Sequence, residues 1–501
     1  MASFSTDQIR TIAFVGQGGA GKTTLIESLL AHTGAIGAAG SVERGSTVCD
    51  YDPREKEHGH SVKLAVSNIT HDNTLVHLLD TPGYLDFVGQ SLPALSAVET
   101  AAIVINAPSG IELMTRRMMN WAKSRGLCRL IVINRIDVEG VDLAALLADI
   151  RTEFGSECLP INLPARNGTE IVDCFFHPDG ESDLMPIADA HTSLVDQVVE
   201  VDEELMELYL DQGHITPEQL HEPFERALRE GHLVPVCFVS GRTSAGVELL
   251  LDTICKLMPN PTEGNPPLFL RGEGTDATPL DAKPDPAAHV LAHVFKVEID
   301  PFIGKLGVFR VHQGTVTPNT QLFIGDARKP FKVSHLYRLQ GKEHVEVNSA
   351  VPGDIVAVAK IDDIHYDAVL HDSQEDNHIH LKPLDFPQPV FGLALEANRH
   401  GDEQKLADVL HRISAEEPTL KIEHDAILNE TVVRGLGDLH LRLTMEKMEK
   451  TYGLQLTTRP PRIPYRETIK GKAEGESSLK VICDGNDIGW FHIWCKTQKT
   501  I

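Results

Sequence analysis

No run in this 501-residue chain approaches the roughly 18 consecutive apolar residues that a membrane-spanning helix needs, which argues against helical membrane embedding. The first residues also lack a basic stretch leading into an apolar one, so no leader is expected and cytoplasm is the default location. Cysteine is scarce, eight in all with no Cys-x-x-Cys pair. That leaves neither a disulfide framework nor a zinc ribbon, and most thiols read as reduced packing residues. Basic residues are outnumbered 46 to 72, a net charge of −26, so bulk charge does not coat nucleic acid or anionic lipid. Any polyanion partner must be met by local patches. Aromatics make up only 5% of residues, yet two of the three tryptophans, Trp490 and Trp494, share the last twenty positions with Cys483 and Cys495. What is present is the balance of a globular protein, 42% hydrophobic and 24% charged, at a length that fits about three domains.

From Thr11 to about Ile254, short β-branched apolar runs alternate with helical stretches, the pattern of a parallel sheet covered by helices. Strands are expected at 11–15, 75–79, 101–106, 130–133 and 234–238. Ligands of such sheets gather at the carboxyl ends of the strands. An acidic helical stretch around 200–210, then 217–230, interrupts the alternation and reads as an insertion over 166–235, leaving 1–165 and 236–258 as one α/β unit. Seven prolines between 259 and 286 oppose any continuous helix or ladder, making 259–287 a linker. Glycine-punctuated short strands over 288–386 suggest a β-barrel. Residues 387–458 read as a small α+β unit with helices at 402–413 and 436–450.

The chemistry concentrates at three strand ends. Gly16-Gln17-Gly18-Gly19-Ala20-Gly21-Lys22-Thr23 satisfies both G-x-G-x-x-G and G-x-x-x-x-G-K-[ST], and Lys22 decides for the phosphate loop. Its ammonium can bridge β- and γ-phosphates, while the Thr23 hydroxyl faces Mg²⁺ and a nicotinamide dinucleotide site needs neither. Asp80-Thr81-Pro82-Gly83 closes the second core strand, where an aspartate can stand behind a metal and the Gly83 N–H can meet a γ-phosphate. Asn134-Arg135-Ile136-Asp137 follows the fourth, where the Asp137 carboxylate can accept the N1–H and N2–H₂ pair of guanine that adenine lacks. In this order the three motifs predict an α/β GTPase domain.

On these motifs the chain resembles the elongation factor G family of translational GTPases. The resemblance runs from about residue 8 to 475: AGKTT through Thr24, DTPG, EVDEELMELYL (200–210), FKVEIDPFIGKLGVFRVHQGTV (295–316), GLGDLHL (435–441) and PYRETIKGKAEG (464–475). It implies an α/β P-loop GTPase domain with an inserted subdomain, a β-barrel and a ferredoxin-like third domain, with 459–475 beginning a fourth. It further implies GTP and GDP as ligands, Mg²⁺, the ribosome as partner and a monomer. Gly16 to Thr24 and Asp80 would hold phosphates, Thr23, Ser61 and Asp80 would face the metal, and Asn134, Arg135, Asp137, Ser240 and Gly241 would surround guanine. Lys22, Gly83 and Tyr84 would line the reaction. Four positions depart from the family pattern: Ser61 replaces threonine, Arg135 lysine, Gly19 aspartate, and Tyr84 the histidine that positions the attacking water. A neutral phenol can hydrogen-bond water but cannot supply the charge of an imidazolium, so either turnover is slow or leans on the ribosome, or Tyr84 is a neutral packing change at a site that catalyses mostly by positioning. Tyr84 together with Gly59-His60-Ser61 is similar to the divergent second type of paralogue.

Two functions follow as expectations, a GTPase acting in translocation or ribosome recycling, and a GTP-dependent ribosome-binding switch with weak hydrolysis and no translocase activity. His371, His378 and His380, in HDSQEDNHIH, fit no closed zinc spacing and read as a solvated loop. Beyond Gly475 the resemblance stops. Residues 476–501 show no clear amphipathic period, and a frameshifted or truncated gene is the expectation, with a remodelled short family member as the alternative.

Overall fold

The computed structural model describes residues 4–497 except 213, 214, 216, 266, 273, 301, 302, 400, 426, 427, 464–472 and 484–485. Most of the PYRETIKGKAEG motif thus lies outside the described residues. The first unit begins with strand β1 (Ile9–Val15), helix α1 (Lys22–His32) and helix α2 (Pro53–His58), then strands β2 (Ala65–His71) and β3 (Thr74–Asp80). Helix α3 (Val88–Leu95), β4 (Thr100–Asn106), α4 (Leu113–Ser124), β5 (Cys128–Asn134), α5 (Leu143–Phe154) and β6 (Cys158–Pro160) follow. After β7 (Asn162–Ala165) and β8 (Glu170–Asp173) come α6 (Ile187–Val199), α7 (Glu203–Gln212) and α8 (Pro217–Glu230), before β9 (Val234–Val239) and α9 (Val247–Lys256). One seven-stranded sheet orders these as β2-β3-β1-β4-β5-β9-β6. All neighbours run parallel except β2, which pairs antiparallel with β3. Strands β1 and β5 are buried along their whole length, as apolar β-branched strands covered on both faces must be.

The acidic stretch at 200–210 is helical from Glu203 on, as part of one helix. Helix α6 ends at Val199 and α7 starts at Glu203, with the Asp202 carboxylate accepting the Leu205 N–H at 3.0 Å, because an aspartate competes for backbone N–H groups and starts a new helix better than it continues one. The proline-rich segment also carries more order than proline density suggests. Strands β10 (Phe269–Arg271) and β11 (Thr278–Leu280) form a three-stranded sheet with β20 (Ile379–Leu381). Each is three residues long, and Pro279 sits on the edge strand, where its missing N–H costs no ladder bond.

Strands β12 (Leu291–Asp300), β13 (Gly304–Gln313), β14 (Gln321–Ile324), β15 (Phe331–Lys332), β16 (Leu336–Gln340), β17 (Glu343–Val347), β18 (Ile355–Ala359) and β19 (Val369–His371) curl into one antiparallel sheet. Their order is β15-β14-β19-β12-β13-β18-β16-β17. His371 therefore ends a strand and is fully buried, with Nδ1 2.7 Å from the Ser373 carbonyl and Nε2 2.8 Å from that of Gly325. The solvated-loop reading holds for the exposed His378, paired with Asp326, and fails for the half-buried His380 on β20 and for His371, whose ring finds two carbonyl partners inside.

The third unit packs α10 (Glu403–Glu416) and α11 (Asp438–Tyr452) on the sheet β22-β23-β21-β24, formed by β21 (Phe391–Ala397), β22 (Lys421–Asp425), β23 (Glu430–Gly435) and β24 (Leu456–Arg459). The region after 472, for which the sequence shows no period, is a two-stranded antiparallel ribbon of β25 (Ala473–Cys483) and β26 (Asn486–Thr497).

The units are not beads on a string. The apolar core of the nucleotide unit continues into Phe295, Leu306, Val308, Leu339, Ile355 and Ala357 of the curled sheet. Glu99 pairs with Arg310 across that boundary, and Asp354 meets both His77 and Arg338. The open edge of β2 is covered too: Gly341 N–H donates to the Val66 carbonyl at 2.9 Å and the Asn68 amide donates to that of Leu339 at 2.8 Å. No helix among the described residues is long and apolar enough to cross a membrane.

Candidate functional site

The carboxyl ends of β1, β3, β5 and β9 lie on one side of the sheet, and the loops that follow them meet there. Between β1 and α1 the chain wraps a loop whose last residue, Gly21, adopts the left-handed region with φ +85° as the helix N-cap. Lys22 is buried and its ammonium donates to the carbonyls of Gly16 and Gln17, each at 3.0 Å. Burial lowers the Lys22 pKa, because an ammonium without water is poorly solvated. Met114 N–H donates to the Gln17 side chain at 3.1 Å, tying the loop to α4.

Thr23 opens α1 on the inner side. Its hydroxyl donates to Asp80 Oδ2 at 2.6 Å and lies 3.1 Å from the Ser61 hydroxyl, which in turn donates to Asp50 Oδ1 at 2.8 Å. Burial raises the pKa of both Asp80 and Asp50. Asp80 Oδ1 is buried with no hydrogen-bond partner among the described residues. Two carboxylates and two hydroxyls joined in one hydrogen-bonded chain, with one buried oxygen unused, are hard oxygen donors of the kind Mg²⁺ takes. Asp50 stands in a stretch without periodicity or motif, and sequence reasoning missed it; its single signal is position, eleven residues before Ser61.

Gly83 backs directly onto the phosphate loop, its carbonyl accepting the Gly18 N–H at 3.0 Å. A Cβ added at Gly83 would stand 2.4 Å from the Gly18 nitrogen and 2.5 Å from Lys22 Nζ, so only glycine fits. Tyr84 follows, 39% exposed, with its ring against Gly18 and edge-on to His60 at a centroid distance of 4.9 Å. His60 in turn stacks on Phe87 at 5.9 Å. The water-facing side of the loop is thus lined by a tyrosine held by a histidine.

At the other end of the cradle, Asn134 is a brace. Its amide donates to the Ala20 carbonyl at 2.9 Å and its oxygen accepts the Gly241 N–H at 3.0 Å, locking the phosphate loop to the loop after β9. Arg135 turns the chain with φ +67°. Asp137 accepts the Ser240 hydroxyl at 2.7 Å, which fixes one carboxylate oxygen and leaves the other for a ligand. Gly19, Ala20 and Thr24 lie along the same loop and the first turn of α1. The fold brings the sequence-expected residues to one side of the sheet, with Lys22 under the loop after β1 and Asp137 beside Ser240 in the loop after β9.

Residues 7–260 match the family described as elongation factor Tu GTP binding domain, 289–370 that described as elongation factor G domain 2, and 386–460 elongation factor G, domain III. The elongation factor G-like protein of Mycobacterium tuberculosis (strain CDC 1551 / Oshkosh) is 32% identical over 496 residues, covering 93% of this chain and 69% of the relative. Elongation factor G of Thermotoga maritima is 29% identical over 489 residues, covering 94% and 70%. A crystal structure of a protein from Thermus thermophilus superposes with a TM-score of 0.84 at 33% identity, over 97% of this chain and 72% of that one.

Proposed function

The chain belongs to the elongation factor G family of translational GTPases, and from that premise we propose that it hydrolyses GTP on the ribosome, in translocation or in ribosome recycling. The observation that carries the reading is the cradle in which the Lys22 ammonium lies under the loop carbonyls of Gly16 and Gln17, Thr23 links Asp80 to Ser61, and Gly83 backs onto both the loop and the lysine. We assign 1–165 and 236–258 to GTP binding, 166–235 to an inserted subdomain, 259–287 to a linker that carries the short strands β10 and β11, 288–386 to a barrel and 387–458 to a ferredoxin-like unit. Residues 459–475 begin a fourth unit and 476–501 are a tail of unassigned role.

In this reading, backbone N–H groups of Gly18 to Lys22 bind β- and γ-phosphate oxygens, and the Lys22 ammonium exchanges its carbonyl partners for them. Thr23 and Ser61 would hold Mg²⁺, with Asp80 and Asp50 behind them, and the bound ion would supply charge neutralisation at the phosphates. Asp137 selects guanine. Gly83 N–H meets the γ-phosphate, and the Tyr84 hydroxyl orients the attacking water without adding positive charge. The protein works as a monomer in the cytoplasm, with the ribosome as partner.

The test compares multiple-turnover GTP hydrolysis of the natural chain, Tyr84→His and Tyr84→Ala, with and without ribosomes. The reading expects stimulation by ribosomes, with Tyr84→His faster and Tyr84→Ala slower than the natural chain. Equal stimulated rates for all three remove Tyr84 from the chemistry. Absence of GTP-dependent movement on pretranslocation ribosomes removes translocation.

A further inference from the structure

Glu27 lies on α1 one helical turn after Thr23, is 1% exposed, and belongs to no motif. Both of its carboxylate oxygens accept main-chain N–H groups: Oε2 that of Gly40 at 2.9 Å, and Oε1 that of Val48 at 2.5 Å. Those two donors are the stems of a closed loop. Within it Ser46 N–H donates to the Ser41 carbonyl at 3.1 Å and Gly45 N–H to that of Val42 at 3.0 Å. A Cβ at Gly40 would stand 2.4 Å from the Ser46 carbonyl oxygen, so the stems are as close as backbone allows. Two residues past Val48 comes Asp50, which exchanges hydrogen bonds with Thr47 and accepts from Ser61. Ser61 returns to Thr23. Positions four apart on a helix share a face, so α1 grips the segment 40–61 twice, by Glu27 at its start and by Thr23 at its end.

We propose that Glu27 is a positioning residue for GTP hydrolysis, clasping the stems of the 40–48 loop so that Asp50 and Ser61 are delivered opposite Thr23 and Asp80. The inference rests on the GTPase reading above. A carboxylate suits the task because it offers acceptors on both oxygens, whereas a carboxamide offers one and turns a donor toward the other N–H. The phosphate loop and the guanine contacts of Asp137 do not pass through this clasp. Loss of Glu27 therefore acts on turnover and on the order of 40–61, and spares nucleotide affinity.

The experiment uses the full chain and the variants Glu27→Gln, which keeps volume, and Glu27→Ala. Three quantities are read: kcat and KM for GTP with Mg²⁺ and ribosomes, affinity for a fluorescent GDP, and the rate of trypsin cleavage after Arg44 and Lys56 with and without nucleotide. Glu27→Gln is expected to lower kcat about tenfold and raise cleavage by a similar factor, with KM and GDP affinity within about threefold of the natural chain. Glu27→Ala is expected to go further in the same direction. Unchanged kcat and unchanged cleavage in Glu27→Gln overturn the proposal, as does a fall in GDP affinity as large as the fall in kcat. If the natural chain binds no guanine nucleotide, the GTPase reading fails, and cleavage of the nucleotide-free chains still decides whether Glu27 clasps the loop.

Discussion

A single methyl group decides whether the turn Asp80 to Gly83 can close on the phosphate loop. The position a Cβ would take at Gly83 is already held by the Gly18 nitrogen and the Lys22 ammonium, so Gly83→Ala must push one of them aside. We expect this variant to lose about a hundredfold or more in GTP turnover, measured by phosphate release, because positioning of the phosphates is what the loop contributes. Asp137→Asn is expected to lower affinity for guanine nucleotides by about tenfold or more and leave binding of inorganic triphosphate unchanged, read by competition against a fluorescent GDP. Legibility is uneven at this scale. Lys22, Asp80, Asn134 and Asp137 announce themselves because each sits in a short motif at the end of an apolar strand. Asp50 and Glu27 do not, since an aspartate in an aperiodic stretch and a glutamate inside a helix look like ordinary polar residues until the fold sets them against Ser61 and the loop stems.

Among the elements, α2 and α11 meet through both charge and apolar contact. Arg54 donates to the Leu443 carbonyl at 3.0 Å, His58 lies 2.9 Å from Glu446, and Glu57 reaches Lys450. Val62, Phe87 and Leu443 bury one another beneath them. The segment that carries Ser61 is therefore seated on the third unit. Leu443→Ala is expected to cost about 2–4 kcal/mol and to speed hydrogen exchange over 53–63 while leaving the curled sheet unchanged. A second expectation concerns α8. Burial and the adjacent Glu263 carboxylate push Glu225 up to about 7, against attraction from Arg10 and Arg229, with the exposed His221 3.2 Å away. Above its ordinary range and up to about 7 the folded chain holds a proton that the unfolded chain has released, so stability falls as pH rises through that window. Glu225→Gln should flatten the fall, gaining melting temperature relative to the natural chain at pH 8 compared with pH 5. The core strands were readable from β-branched runs, and their ends from the motifs. Strand β2 was not, because four of the six residues Val66-Ser67-Asn68-Ile69-Thr70-His71 are polar and the strand gains its place by pairing with β3. The three residues of β6 are too few to show any period.

Over the whole molecule, the join between nucleotide unit and curled sheet is a buried one. Arg310 and Glu99 are each about 5% exposed and face each other across it, with Thr11 donating to the same carboxylate. Removing one partner strands a charge, so Arg310→Met alone is expected to cost about 3–5 kcal/mol, and adding Glu99→Gln to recover much of it, as read from urea unfolding midpoints. None of this was legible in the net charge of −26, which counts residues and not where they meet. The covered edge of β2 carries one more consequence. A strand whose free side is met by Gly341 and Leu339 of another unit has its unpaired backbone hidden just as long as that unit stays docked. Separation would present a ready template for a stranger's strand, so the docking that looks like architecture is also this protein's protection against self-association.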